Sequence, residues 1–231
     1  MKPVGPQLAE GRDSVIYEHG PGRVLRIPRD GRSLDGEADV MRYVRAQGYP
    51  APEVYESGPG YLVMERVDGP TMLDALVRQP HRMGHLARIL ADLHVRLHAL
   101  AAPDGLPRAG VPGDRLLHRD LHPLNVLMAA GGPVVIDWTN AAAGSPAYDV
   151  ADTWVLSAVG EVPGGAGARV AATLGRRVFL RSFLRSFDRD KVRAAIPAAV
   201  EHRLSDRNMS EGERSRMRRM AARASAGTGR R

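Results

Sequence analysis

Short apolar runs broken by glycine and proline fill the first third of the chain, and apolar positions spaced three and four apart fill most of the rest. Gln7-Leu8-Ala9-Glu10, Val15-Ile16-Tyr17 and Val24-Leu25-Arg26-Ile27 read as strands, separated by the loop Gly11-Arg12-Asp13-Ser14 and the turn His19-Gly20-Pro21-Gly22. Val40, Met41 and Val44 form one stripe of a helix predicted over Leu34 to Gln47 and stopped by Gly48. A strand pair follows, Glu53 to Glu56 and Tyr61 to Glu65, joined by Ser57-Gly58-Pro59-Gly60.

Beyond Arg66 the period changes. Thr71 is placed to cap a short helix through Val77, and Leu86, Ile89, Leu90, Leu93, Leu97 and Leu100 mark a longer amphipathic one. Residues 101–115 carry three prolines and three glycines and read as a loop. Ser145-Pro146 has the form of an N-cap and first-turn proline, predicting a buried helix to Val159 that ends at Gly160. After a loop at residues 161–168, helices are expected from Val170 to Phe187 and from Lys191 to Arg203, the latter interrupted at Pro197. Ser210-Glu211-Gly212-Glu213 opens a last helix to about Ala222, with a frayed end at Gly227-Thr228-Gly229. The pattern divides the chain into residues 1–66, rich in strands, a helical part over 67–209, and a basic helix or tail over 210–231.

Composition narrows the class. At 231 residues and 43% hydrophobic content the chain can bury a proper core, which excludes disorder throughout. It has no cysteine, so a disulfide framework or a thiolate metal site is excluded, and a reducing cytoplasm suits it. No apolar run is long enough to span a membrane, and the first residues lack a signal-peptide core, so a cytoplasmic location is expected. The net charge of +7 equals the seven arginines that follow Glu213, so residues 1–213 are formally neutral and the excess belongs to the C-terminal end. No aromatic interleaves with those arginines to stack on bases, which favours a solvated helix over an RNA or acidic-membrane contact.

The chemistry concentrates in His118-Arg119-Asp120-Leu121-His122-Pro123-Leu124-Asn125 and, after a short apolar run, Ile136-Asp137-Trp138. Two acids and an amide on two loops attached to strands suit phosphoryl transfer, which needs positioning and charge neutralisation more than covalent help. Asp120 would orient an attacking hydroxyl and accept its proton, while Asn125 and Asp137 would hold Mg²⁺ against nucleotide phosphates. Residues 118–125 match every fixed position of H-R-D-L-x-x-x-N. His94 and His98 have the spacing of a zinc pair but lack the adjacent glutamate of H-E-x-x-H, so core or polar-face histidines are the expectation.

These motifs resemble the aminoglycoside phosphotransferase family, the small-molecule branch of the protein-kinase-like fold. His122 and Trp138 favour that branch over protein kinases, as does the short link from Asp137 to Asp149, which leaves no room for a long activation segment. The resemblance implies an α+β, bilobal protein-kinase-like fold, with a small antiparallel β-sheet lobe carrying one helix and a mainly helical second lobe. It implies ATP (or GTP) and Mg²⁺ as cofactors and a small hydroxylated substrate (an aminoglycoside, another antibiotic or a metabolite); the composition points to no membrane partner and disfavours a nucleic-acid partner outside the basic tail. The nucleotide would be covered by the loop at Gly11 and Ser14 and would meet backbone groups near Met64, Glu65 and Val67. Arg26 stands where such enzymes carry a phosphate-binding lysine, with Glu37 as its best partner; the flanking apolar residues fix only the face, so a surface arginine on an edge strand is the lesser alternative. His118, His122 and Asp149 would support the catalytic loop, while Asp152 is open between a structural ion pair and the rim of an acceptor site. Two other functions fit parts of the chain: a non-catalytic nucleotide-binding protein of the same fold, and a nucleic-acid adaptor using the basic end.

Overall fold

The computed structural model describes residues 5–11, 13–159, 166–205 and 210–228. Arg12 of the expected phosphate loop, most of the loop after Val159 and the end at Gly229 lie outside the described residues. The first lobe is a five-stranded antiparallel sheet of β1 (Gln7–Glu10), β2 (Ser14–Glu18), β3 (Arg23–Pro28), β4 (Val54–Gly58) and β5 (Tyr61–Glu65). Its order is β1-β2-β3-β5-β4, because α1 (Asp35–Ala46) intervenes after β3 and the chain returns on the far edge. The register sets Ile16 opposite Arg26 and Arg26 opposite Leu62, so Arg26 occupies the middle of the sheet rather than an edge.

α1 buries Glu37, Ala38, Val40, Met41 and Val44, the stripe its periodicity predicts, and Gly48 ends it with φ at 75°. Four of these are apolar; Glu37, a carboxylate on the buried face, must find a partner.

The second lobe opens with α2 (Met72–Arg78), whose capping box joins Thr71 and Asp74. α3 (Met83–His98) buries Leu86, Leu90, Leu93 and Leu97 as expected. Three short strand elements carry the motifs: β6 (Arg115–Leu117) leads into the first, and β7 (Val126–Ala129) pairs with β8 (Gly132–Val135) between the two. β9 (Ala142–Gly144) pairs with β6 inside the link that the sequence presents as small residues without a strand pattern. Its smallness is a packing requirement, since a Cβ on Gly144 would lie 2.8 Å from Leu117 Cδ1.

α4 (Pro146–Val159) is buried on more than one side, under α5 (Ala166–Phe183), α6 (Arg189–Leu204) and α7 (Glu211–Thr228). Two helices depart from expectation. α6 runs unbroken through Pro197: one backbone bond is lost there, but Val192, Ile196, Ala199 and Val200 stay buried on the face toward α4. α7 extends past Ala222 and is no free tail, because Met217 and Ala224 are buried against α4 and α6. No described helix is long and apolar enough to cross a membrane.

Candidate active site

The two motifs meet because the β7–β8 ribbon folds one back on the other. Val126 pairs with Val135, and the Ile136 N–H donates to the Asn125 carbonyl at 3.0 Å, so Asn125 and Asp137 lie on neighbouring ends of one ribbon. The Asn125 side-chain nitrogen donates to the Asp120 carbonyl at 2.9 Å and to its Oδ2 at 3.1 Å. Both amide hydrogens are then used, leaving the amide oxygen as a ligand. At Asp137, Oδ1 takes the bond from Arg26 and lies 2.9 Å from the Thr139 hydroxyl, while no bond among the described residues goes to Oδ2.

A hard divalent cation asks for this donor set, one carboxylate oxygen and one amide oxygen, with water and phosphate completing the shell. No group of three or more His, Cys, Asp or Glu side chains among the described residues is arranged to hold a metal ion. His94 and His98 are not such a pair. His94 is buried, donates from Nδ1 to the Leu90 carbonyl at 2.9 Å and lies 3.0 Å from the Thr153 hydroxyl; His98 turns to Asp149.

Asp120 is surrounded by donors. Arg203 donates to Oδ1 at 2.8 Å, and His122 Nε2 lies 3.4 Å from the same oxygen. His122 Nδ1 accepts from the Leu124 N–H, which leaves the ring proton on Nε2, facing the carboxylate. Burial alone would raise the Asp120 carboxyl, but His122, Arg203 and His118 hold it well below the usual carboxylate range. These donors therefore favour its ionised form.

The loop is held from beneath by a buried carboxylate. Buried Asp149 accepts from the backbone N–H of His118 at 3.1 Å, from that of Arg119 at 2.7 Å and from His98 Nε2 at 2.9 Å. Burial pushes the Asp149 carboxyl up, yet the His98 bond and the charges of His98, His94 and His118 carry it below the usual range. His118 donates to the Ile136 carbonyl at 3.1 Å and packs on the Trp138 ring with centroids 4.7 Å apart, which ties one motif to the other. Arg119 and Asp137, with φ of 61° and 63°, are the non-glycine residues with positive φ among those described, and they lie in the two motifs. Strained backbone of this kind persists only where its surroundings over-determine it.

Arg26 is buried and held on four sides. Nη1 bonds Glu37 Oε1 at 2.5 Å, Nε bonds the Ser14 hydroxyl at 3.0 Å, and Nη2 reaches Asp137 Oδ1 and the Thr139 hydroxyl, both at 3.2 Å. This rules out the surface-arginine alternative. Glu37 also accepts from the Trp138 N–H at 3.3 Å and meets Thr139 at 3.1 Å; burial raises its carboxyl, with Arg26 opposing. The Ser14 hydroxyl, expected to face a nucleotide, is buried and spent on Arg26, while Gly11 shapes the same turn by donating to the Ser14 carbonyl at 2.9 Å.

At the strand end where the base was expected, Met64 pairs with Val24. The Glu65 N–H donates to the Glu53 carbonyl, its side chain accepts from the Glu53 N–H, and the Arg66 N–H donates to Gly22. The Val67 N–H enters no bond among the described residues.

Asp152 is settled as an ion pair, buried and gripped by Arg203 through Oδ1 at 2.7 Å and through Oδ2. Burial pushes its carboxyl up to about 6, with Arg203 opposing. Asp188 is the N-cap of α6, accepting from the backbone N–H groups of Asp190 and Lys191. Sequence reasoning missed Arg203, Thr139 and the His98 contact. Thr139, two residues beyond Asp137, was within reach of the motif; Arg203 had no local signal.

A bilobal fold with a sheet-borne Arg–Glu pair facing an Asp/Asn/Asp cluster between its lobes defines a kinase-like phosphotransferase. The chain belongs to the phosphotransferase enzyme family called APH, whose sequence profile matches residues 5–115 and 106–194, and it is accordingly a phosphotransferase with an alcohol group as acceptor. No curated protein sequence matches it. Solved structures share the fold at low identity. Amicoumacin kinase hAmiN, in complex with AMP-PNP, Ca²⁺ and Ami, is 16% identical over 96% of this chain and 88% of its own, with a TM-score of 0.57. A thermostable mutant of APH(4)-Ia, with AMP-PNP and hygromycin B, is 19% identical over 96% and 94%, with a TM-score of 0.57. A choline/ethanolamine kinase family protein from Mesorhizobium loti is 17% identical over 96% and 88%, with a TM-score of 0.52.

Proposed function

We propose that the chain is an ATP- and Mg²⁺-dependent small-molecule kinase in which Asp120 is the base and Asn125 and Asp137 are the metal ligands. The observation that carries this reading is the use of both Asn125 amide hydrogens by Asp120. It fixes the base and leaves the amide oxygen without a bond among the described residues, on a residue whose backbone carbonyl accepts from Ile136, next to Asp137. Bound there, the cation would neutralise charge on the transferring phosphates. Asp120, kept ionised, receives the hydrogen bond of the acceptor hydroxyl, aligns it and takes its proton as the hydroxyl oxygen bonds to the γ-phosphorus and the bond to the bridging oxygen breaks, releasing the nucleoside diphosphate. Arg26, steadied by Glu37 and Ser14, supplies the positive charge for the α/β-phosphates and keeps Asp137 in register until the nucleotide enters. Val67 supports base recognition through its main chain, which leaves ATP and GTP as alternatives.

The complexes of similar proteins with AMP-PNP support the nucleotide class; one of them also holds hygromycin B, and another similar protein is named for a choline/ethanolamine kinase family. The test is a phosphate-transfer screen with Mg·ATP and Mg·GTP over aminoglycosides, amino alcohols and sugars. Acceptor-dependent nucleoside diphosphate release that disappears in Asp120→Asn is expected. A wild-type protein that binds Mg·ATP and phosphorylates nothing, or an Asp120→Ala protein that keeps acceptor-dependent turnover, would refute the assignment.

A further inference from the structure

Arg203, near the C-terminal end of α6, is separated from the catalytic loop by more than eighty residues, yet its guanidinium ends on it. Nε and Nη2 grip Asp152 of α4, and Nη2 also bonds the Arg119 carbonyl at 2.8 Å and Asp120 Oδ1 at 2.8 Å. Arg203 is 7% exposed and Asp152 1%, so that ion pair is shielded from competing water. Arg119 is the left-handed residue that aims Asp120, and its two neighbouring peptide groups are held by buried charges. Asp149 of α4 takes its N–H at 2.7 Å and Arg203 takes its carbonyl. A strained residue needs such over-determination, and a base must be held within a fraction of an ångström to work.

Resting on the kinase reading above, we infer that Arg203 is a positioning residue. It clamps the strained Arg119 peptide and one oxygen of Asp120 to the α4–α6 pair, with Asp152 as its counter-charge. The remaining oxygen of Asp120, bonded among the described residues to Asn125 alone, is thereby the one presented to the acceptor hydroxyl. The helical lobe thus sets the direction of the base as well as supporting it.

The test compares wild type, Arg203→Lys and the double variant Arg203→Met/Asp152→Leu. The double change removes both charges together, because Arg203→Met alone would strand a buried carboxylate and threaten folding. Hydrogen exchange of the peptide spanning residues 116–125 and steady-state kinetics are read on each protein after its melting temperature confirms folding. The clamp predicts faster exchange in that peptide. It also predicts a kcat lower by about 10- to 100-fold with the KM for ATP unchanged in the double variant. Arg203→Lys, which keeps the charge but not the fork, is expected to fall between the two. Wild-type exchange or wild-type kcat in the double variant overturns the inference. If wild type transfers phosphate to no acceptor while exchange still rises in the variant, the clamp stands and the kinase reading falls.

Discussion

At the scale of single residues, buried charge explains most of the site. Arg26 and Glu37 are both almost fully buried and bonded to each other. Breaking such a pair strands the survivor, so Glu37→Ala is expected to cost about 3 kcal/mol of stability, read by urea unfolding. Arg26→Met/Glu37→Leu should recover most of that stability and none of the activity. His94 follows the same logic with the opposite sign of charge. Burial lowers its pKa from 6.5 to about 4, with Asp149 opposing, so the unfolded chain binds a proton that the folded one refuses between those values. Its contribution is therefore full above pH 6.5 and is lost as pH falls toward 4, by about 3 kcal/mol in all. His94→Gln should show a flatter loss of stability over that window than wild type; parallel slopes would contradict the buried neutral ring. Asp120, Asn125, Asp137 and Glu37 were legible because each is written into a local pattern, a motif or a helix stripe. Arg203 was not, since nothing in the residues around it distinguishes a surface arginine of α6 from one aimed at Asp120. Ser14 was legible in place but not in partner, because a hydroxyl beside a glycine serves a nucleotide or a guanidinium equally well.

At the scale of elements, the β7–β8 ribbon carries the argument: it sets Asn125 beside Asp137 and also backs the segment that leaves β5. The Met128 N–H donates to the Pro70 carbonyl at 2.8 Å, and Gly69 runs so close that a Cβ there would lie 2.5 Å from the Met128 carbonyl oxygen. Gly69 also has a φ of 158°, which side chains disfavour. Gly69→Ala should therefore destabilise by about 1–3 kcal/mol and raise the KM for ATP more than it lowers kcat, as the segment around Val67 is displaced. A wild-type melting temperature in this variant would mean that the ribbon does not back the hinge. Hydrophobic periodicity made the long helices and the five-stranded sheet readable. It could not reveal β9, whose Ala142-Ala143-Gly144 has no strand pattern of its own and is ordered by pairing with β6. It also overrated Pro197, because the apolar face that α6 buries against α4 outweighs one missing bond.

At the scale of the whole molecule, the charge excess and the core are linked through α7. The helix that holds most of the C-terminal arginines also buries Met217 and Ala224, so it belongs to the second lobe rather than hanging from it. Removing residues 211–231 is expected to lower the melting temperature by many degrees. A truncated protein that melts like the full chain, and loses salt-dependent nucleic-acid binding, would instead mark α7 as an adaptor. The fold places two lobes around one Asp/Asn/Asp cluster, and the central claim is that Asp120 of that cluster accepts the proton of an alcohol during phosphoryl transfer. Its most direct measurement is phosphorus NMR of Mg·ATP mixed with the acceptor panel and either wild type or Asp120→Asn. The account predicts a new phosphomonoester signal with wild type. With Asp120→Asn, nucleotide should still bind while the signal grows at least about 100-fold more slowly. Equal rates with the two proteins would contradict it.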